Sequence, residues 1–71
     1  MAKTYADYSE YEKCRDKKQM TDYAVSQASG VATATLTNWK QGVYEPKIDK
    51  LLKIAAVLDV PLESLLRTKQ K

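Results

Sequence analysis

The sequence predicts an all-α fold of five short helices in one compact domain. Three observations support this prediction: the chain has only 71 residues, 44% of them are apolar, and the apolar residues recur at helical spacing between Gly and Pro breakpoints. A chain of this length holds a single domain. We place that domain at residues 1–67 and a polar tail at residues 68–71, with no strands and no repeats.

The first helix is expected from about residue 5 to residue 17. Thr4 and the acid three residues later resemble a capping box. Tyr8, Tyr11 and Cys14 then recur three residues apart, with charged residues between them. This spacing indicates a helix with one apolar face, and it predicts that Cys14 is a small residue of the core.

The second helix is expected to begin at Thr21 and Asp22, which are both N-cap types. Gly30 ends it as the positive-φ residue of a tight turn. The residues that fit the inward face of this two-turn helix are Ala24, Val25 and Ala28.

The third helix is expected over residues 32–41, just before Gly42. Ala32, Leu36 and Trp39 stand at positions i, i+4 and i+7, which is a helical stripe. As a strand, the same segment would place Leu36 and Trp39 on opposite sides. The helix is therefore favoured.

The two remaining helices each begin at a proline, which suits the first turn of a helix. Pro61 opens the fifth helix, which carries Leu62, Leu65 and Leu66. Pro46 opens the fourth helix, and its predicted buried face is Ile48, Leu51, Leu52, Ala55 and Leu58.

Composition argues against an enzyme and against a membrane protein. The chain has no His, so the commonest general base and metal ligand are absent, and its single Cys cannot build a zinc site. The longest apolar run, Ile54–Leu58, is far shorter than the ~20 residues that span a bilayer, and no signal peptide follows Met1. A lone Cys favours a reducing cytoplasm. We expect a cytoplasmic binding protein with no metal, cofactor or small-molecule ligand.

Two short helices joined through Gly form the helix-turn-helix arrangement, whose second helix can enter the major groove of DNA. Base edges require hydroxyl and carboxamide groups, since Asn pairs with adenine and the Thr methyl packs on thymine. The outward positions of the third helix carry such groups on residues that are poor helix formers: Thr33, Thr35, Thr37 and Asn38. The alternative explanation of these residues is a polar face that is only solvated.

Charge is unevenly distributed along the chain. Residues 1–35 hold five positive and five negative side chains, whereas residues 36–71 hold seven positive and four negative, so the net charge of +3 lies in the second half. No Asp or Glu occurs from Tyr23 through Tyr44. Because carboxylates near phosphates are repelled, this acid-free segment favours a surface that faces DNA.

The segment Thr21–Gly42, followed by Pro46 and a Leu-rich helix, resembles the Cro and lambda-repressor type of helix-turn-helix domain, the Xre family. The resemblance covers about residues 11–66 and implies a lambda-repressor-like bundle that binds double-stranded DNA sequence-specifically. It implies a small bacterial or phage repressor on a palindromic operator, acting as a homodimer. The fifth helix is the candidate dimer surface, although at least two of its three leucines should be needed for the core. It rests on the combined spacing of Gly30, Val31, Leu36, Trp39, Gly42 and Pro46.

The resemblance also implies a role for individual residues. The expected base contacts are Thr33, Ala34, Thr37 and Asn38. The expected contacts to the DNA backbone are Thr21, Asp22, Thr35, Lys40, Gln41 and Lys47. The expected core residues of the helix pair are Val25, Val31, Leu36 and Trp39.

Three positions depart from the family pattern. Asp22 stands where the family usually has Gln, and its charge opposes contact with phosphate unless it only caps the helix. Lys40 replaces the Glu that usually pairs with an Arg of the first helix, so Arg15 must find another acid or solvent. Ala32 replaces the usual Ser or Thr cap of the third helix.

Two other functions are compatible with the sequence. The first is the antitoxin of a toxin–antitoxin pair, which would combine the same DNA-binding face with a surface for a toxin. The second is a protein-interaction module that kept the fold without binding DNA, since the third helix lacks Arg and Asp22 adds an acid.

Overall fold

The computed structural model describes residues 3–69, which form a mostly helical domain containing a helix-turn-helix. The all-α prediction is confirmed, but the count of five helices and the absence of strands are wrong. The described elements are β1 (Lys3–Ala6), α1 (Tyr8–Lys17), α2 (Asp22–Ser29), α3 (Thr33–Lys40), α4 (Ile48–Leu58), a 3₁₀ turn (Leu62–Leu65) and β2 (Leu66–Lys69).

The two strands pair antiparallel and form a terminal ribbon that joins the two ends of the chain. Lys3 is opposite Lys69, and Ala6 is opposite Leu66. The predicted fifth helix is therefore only one 3₁₀ turn, because Leu66 already has the extended backbone of β2, with φ −110° and ψ 155°. Thr68 and Lys69, which the sequence assigned to the tail, belong to β2, whereas residues 70–71 lie outside the described range.

The first helix starts three residues later than predicted because Thr4 belongs to β1 and Asp7 is the N-cap. The Asp7 carboxylate accepts a hydrogen bond from the Ser9 N–H at 2.9 Å. The same carboxylate forms an ion pair with the Arg67 Nε at 2.9 Å, and Arg67 also pairs with Glu10. The start of α1 is thus tied to the terminal ribbon.

The helix pair forms where its local sequence predicts, but Ala28 and Ala32, which were expected on the inward faces, are exposed. Thr21 caps α2 by accepting from the Ala24 N–H at 3.1 Å, and Gly30 ends α2 in the left-handed region at φ 80°. Ser26 is buried in α2 and donates through its hydroxyl to the Val31 carbonyl at 2.5 Å, which fixes the turn. The start of α3 at Thr33 has no side-chain cap.

The core lies where α1, α2, α3, α4 and the 3₁₀ turn meet. On α4 the buried face differs from the prediction, because Ile48 is 57% exposed and Leu52 is 52% exposed, whereas Ile54 is buried. Ile48 and Leu52 lie about 60° and 100° around the helix axis from Leu51, and so at the edge of the core. The fully buried side chains are Tyr11, Val25, Val31, Leu36, Ile54, Leu58 and Leu65.

Trp39 joins α3 to α1 through an aromatic cluster. Its ring centroid lies 5.6 Å from that of Tyr8 and 5.1 Å from that of Tyr11. The predicted core role of Trp39 is confirmed, since only 5% of the residue is exposed. Cys14 is half-buried and packs against the core, whereas the sequence predicted that it lies within the core.

Candidate nucleic-acid interface

The outward face of α3 is built from the four residues that the sequence assigned to base contacts. Thr33, Ala34 and Thr37 are exposed, and Asn38 is half-buried. At 100° per residue, these four residues lie within an arc of about 140° around the helix axis. The opposite side of α3 holds Leu36 and Trp39, which are buried, so the core fixes which face points outward.

The residues assigned to backbone contacts lie at the borders of this face. Thr35 is half-buried on one flank of α3, and Lys40 is exposed on the other. Gln41 follows as the exposed C-cap of α3, and Lys47 is the exposed N-cap residue of α4. Thr21 is exposed at the start of α2. No DNA contact of these residues is tested by the structure, so their roles stay predictions.

Asp22 is held by three donors inside the protein. Its Oδ1 accepts from the Tyr11 Oη at 2.7 Å and from the Arg15 Nη1 at 2.8 Å, and its Oδ2 accepts from the Tyr8 Oη at 2.8 Å. Arg15 also pairs with Asp16 at 2.9 Å. Arg15, which was expected to find another acid or solvent, thus pairs with Asp22 as well as Asp16, and both carboxylate oxygens of Asp22 are directed toward α1.

The electrostatics of this cluster favour a charged Asp22. Partial burial raises the pKa of Asp22, but hydrogen bonds from Tyr11, Arg15 and Tyr8 outweigh burial and hold the pKa below its ordinary value. Burial, followed by the hydrogen bond to Asp22, raises the pKa of Tyr8 to about 12. The hydrogen bond to Asp22 raises the pKa of Arg15. An ion pair with Arg15 thus compensates the negative charge at the start of α2.

Tyr44 is a residue of this face that the sequence did not identify. It lies in the loop between α3 and α4, is 51% exposed, and accepts a hydrogen bond through its hydroxyl from the Asn38 Nδ2 at 3.0 Å. The only sequence signal is an aromatic residue inside the acid-free segment that fits no helical stripe. A groove beside α3 is lined by Thr35, Tyr44, Lys47 and Lys50 among others.

Backbone and ribbon contacts hold the loop that carries Tyr44. The Val43 N–H donates to the Asn38 carbonyl at 2.9 Å. The Glu45 carboxylate accepts from the Ala6 N–H at 2.7 Å, and the Trp39 Nε1 donates to the Ala6 carbonyl at 3.3 Å. Ala6 of β1 therefore holds both α3 and the following loop.

The described residues hold no group of three or more His, Cys, Asp or Glu side chains that could bind a metal ion. Within residues 3–69, no helix combines the length and the apolar character needed to cross a bilayer. The candidate functional features of the described residues are the outward face of α3, its borders and the Asp22 cluster.

Comparisons with known proteins agree with this geometry. A family model described as helix-turn-helix matches residues 12–65. The chain is similar to SinR, a master regulator for biofilm formation, whose structure was solved in complex with DNA. The two sequences are 27% identical, the match covers 82% of this chain and 97% of that one, and the TM-score is 0.76. A search of curated proteins found no significant match.

Two further solved structures share the fold at lower identity. The transcriptional regulator VanUg is 16% identical, with 96% of this chain and 89% of that one covered and a TM-score of 0.77. A transcriptional regulator from Listeria innocua is 17% identical, with 90% of this chain and 60% of that one covered and a TM-score of 0.69.

Proposed function

The chain belongs to the helix-turn-helix family of the Cro/C1 type, and from that premise we propose that it is a sequence-specific DNA-binding transcriptional regulator. In this proposal α3 enters the major groove, its outward face reads bases, and its borders contact phosphates. The regulator acts as a small bacterial or phage repressor by occupying an operator. Its function is binding and not catalysis, and its DNA target lies in the cytoplasm.

The observation that carries the proposal is the outward face of α3. Its four base-contact candidates share one arc, and none of them is buried. Thr33, Thr37 and Asn38 lower helix propensity, whereas they offer the hydroxyl, methyl and carboxamide groups that base edges recognise. The similar SinR structure contains DNA, which supports the same partner for this chain.

Charge supports the proposal as well. The acid-free segment from Tyr23 through Tyr44 contains α3 and nearly all of α2. Asp22, at the start of α2, is paired with Arg15 at 2.8 Å. Because the ion pair compensates that carboxylate, Asp22 opposes an approaching phosphate less than an unpaired acid would. Its side chain is fully engaged with α1, so we propose that α2 contacts phosphate through Thr21 and backbone N–H groups.

We further propose that the protein binds as a homodimer on a near-palindromic site. One helix-turn-helix module buries only about 600–1,000 Å² on DNA, and a dimer doubles the contacts. The predicted dimer surface on the fifth helix offers little exposed apolar area to a second protomer, because Leu65 is buried and Leu62 and Leu66 pack against the core. The proposed dimer therefore needs another surface.

Binding-site selection from random duplex DNA tests the proposal. We expect enrichment of inverted half-sites separated by about 34 Å, one helical turn, with a fixed base preference in each half. Enrichment of no sequence, together with undetectable binding to any duplex at low salt, would overturn the proposal. That result would favour the protein-interaction module, because a protein directed at phosphates binds non-specific DNA at low salt.

A further inference from the structure

We propose that Tyr44 is a positioning residue for sequence reading: its hydroxyl holds the side-chain amide of Asn38 in the orientation that recognises adenine. The proposal rests on the proposed DNA-binding function and adds a specificity residue from outside α3. It starts from the hydrogen bond of 3.0 Å between the Asn38 Nδ2 and the Tyr44 Oη.

The position of Tyr44 is set by contacts that do not involve its own side chain. The preceding residue, Val43, donates from its backbone N–H to the Asn38 carbonyl at 2.9 Å. The following residue, Glu45, accepts from the Ala6 N–H at 2.7 Å. Tyr44 thus lies between two residues that are held by hydrogen bonds, and the bond from Val43 is to the backbone of Asn38 itself.

The chemistry of the amide explains why its orientation matters. An Asn side chain has two donor hydrogens on Nδ2 and an acceptor at Oδ1. Recognition of adenine in the major groove uses one donor, toward N7, and one acceptor, from the N6 amino group. When Nδ2 gives one hydrogen to Tyr44, the other hydrogen and Oδ1 of Asn38 are left for adenine. The hydroxyl hydrogen of Tyr44 remains a donor for a phosphate oxygen.

A purely structural role fits the contact poorly. Tyr44 is 51% exposed, and it is absent from the buried core and from the partly buried side chains packed on it. Hydrogen bonds between solvent-accessible side chains contribute little to folding, because water replaces them when they break. Removal of the Tyr44 hydroxyl is therefore expected to change base preference while leaving stability almost unchanged.

The test compares Tyr44→Phe, Asn38→Ala and the double variant with the wild-type protein. Each is titrated with the duplex obtained by selection and with duplexes that carry every other base at each position of one half-site. We expect Tyr44→Phe to lower discrimination about two- to tenfold, the range of one hydrogen bond, at the same base pair where Asn38→Ala acts. The double variant should discriminate no less than Asn38→Ala alone, because both changes remove one interaction.

Tyr5→Phe is the matched control, because it removes a tyrosine hydroxyl from the terminal ribbon. It should leave base preference unchanged. A second measurement follows the Asn38 side-chain amide signals by NMR in the protein without DNA. The two Nδ2 hydrogens should differ in solvent exchange in the wild-type protein and become similar in Tyr44→Phe.

Three results would overturn the proposal. The first is that the wild-type protein binds specifically and Tyr44→Phe discriminates between bases equally well. This result rejects the role of Tyr44 and leaves the proposed function intact. The second is an effect of Tyr44→Phe at a different base pair from Asn38→Ala, or equal weakening on all duplexes. The third is wild-type protein that selects no sequence, in which case the proposed function fails and the role of Tyr44 falls with it.

Discussion

The helix pair and the terminal ribbon differ in how their structures are specified. The helix pair, α2 with α3, is determined by residues close together in sequence: Thr21 caps α2 and Gly30 ends it. The ribbon joins Lys3 to Lys69 and Ala6 to Leu66, which are at opposite ends of the chain. Local chemistry therefore specifies the surface proposed to read DNA, whereas distant pairing specifies the support behind it.

The two regions meet at Ala6. Its carbonyl accepts from Trp39 of α3 at 3.3 Å, and its N–H donates to Glu45 of the following loop at 2.7 Å. Because Ala6 is only 8% exposed, water cannot readily replace these partners. The ribbon thus orients the helix that carries the proposed base contacts.

The largest expected effect comes from breaking the helix pair at its core. Leu36→Ala removes a side chain with 0% exposure and should lower the free energy of unfolding by about 2–5 kcal/mol. Leu52→Ala is the matched control. Because Leu52 is 52% exposed, its truncation should lower the free energy of unfolding much less. Urea unfolding followed by circular dichroism measures both. Equal losses would contradict the described core.

The next effect tests the link between ribbon and helix pair. Glu45→Ala removes the acceptor of the Ala6 N–H and should cost about 1–3 kcal/mol, since the donor is left in a buried residue. Glu63→Ala, an exposed acid in the 3₁₀ turn, is the control and should stay within about 0.5 kcal/mol of wild type. If the two variants are equally stable by urea unfolding, the ribbon does not hold the loop.

Asp22→Asn weakens the link between α1 and α2 and should cost about 1 kcal/mol at pH 7, the typical net value of a hydrogen bond. The pKa of Asp22 is lowered in the folded protein. Its stabilisation is therefore complete above the unfolded pKa, about 3.9, and disappears as the pH falls through the folded pKa. Unfolding measured at several pH values should show the two proteins converging in acid. Asp49→Asn, on an exposed acid, is the control, and a difference independent of pH would contradict the ion pair.

The smallest effect concerns the border of the proposed interface. Lys47→Ala should weaken binding to all duplexes alike and reduce the slope of log affinity against log salt by about one. Lys53→Ala, on an exposed lysine farther along α4, should leave the slope unchanged. Titrations at several salt concentrations measure both, and an unchanged slope for Lys47→Ala removes that residue from the phosphate contacts.

The limits of sequence-based prediction follow the same division. The stripe of Leu36 and Trp39 and the turn at Gly30 were predictable, because each depends on neighbours within one or two helical turns. The strand at Leu66 was not, because its partner lies sixty residues away, at Ala6. The buried face of α4 was predicted only in part, since its edge depends on where the rest of the core ends.

Within the candidate site, the predicted residues of α3 lie on one outward face, as helical spacing required. The partners of Asp22 and the contact of Tyr44 with Asn38 could not be predicted. They depend on how α1 and the loop after α3 fold back on the helix pair, and no local pattern encodes that arrangement.

The most direct test of the proposed reading by α3 is the ratio of affinities for the selected duplex and a scrambled duplex of equal composition at physiological salt. For wild-type protein we expect a ratio of roughly 10³ or more. Asn38→Ala should lose about 1–3 kcal/mol on the selected duplex and almost nothing on the scrambled one. A wild-type ratio near one, or equal losses on both duplexes, would contradict sequence reading by this face.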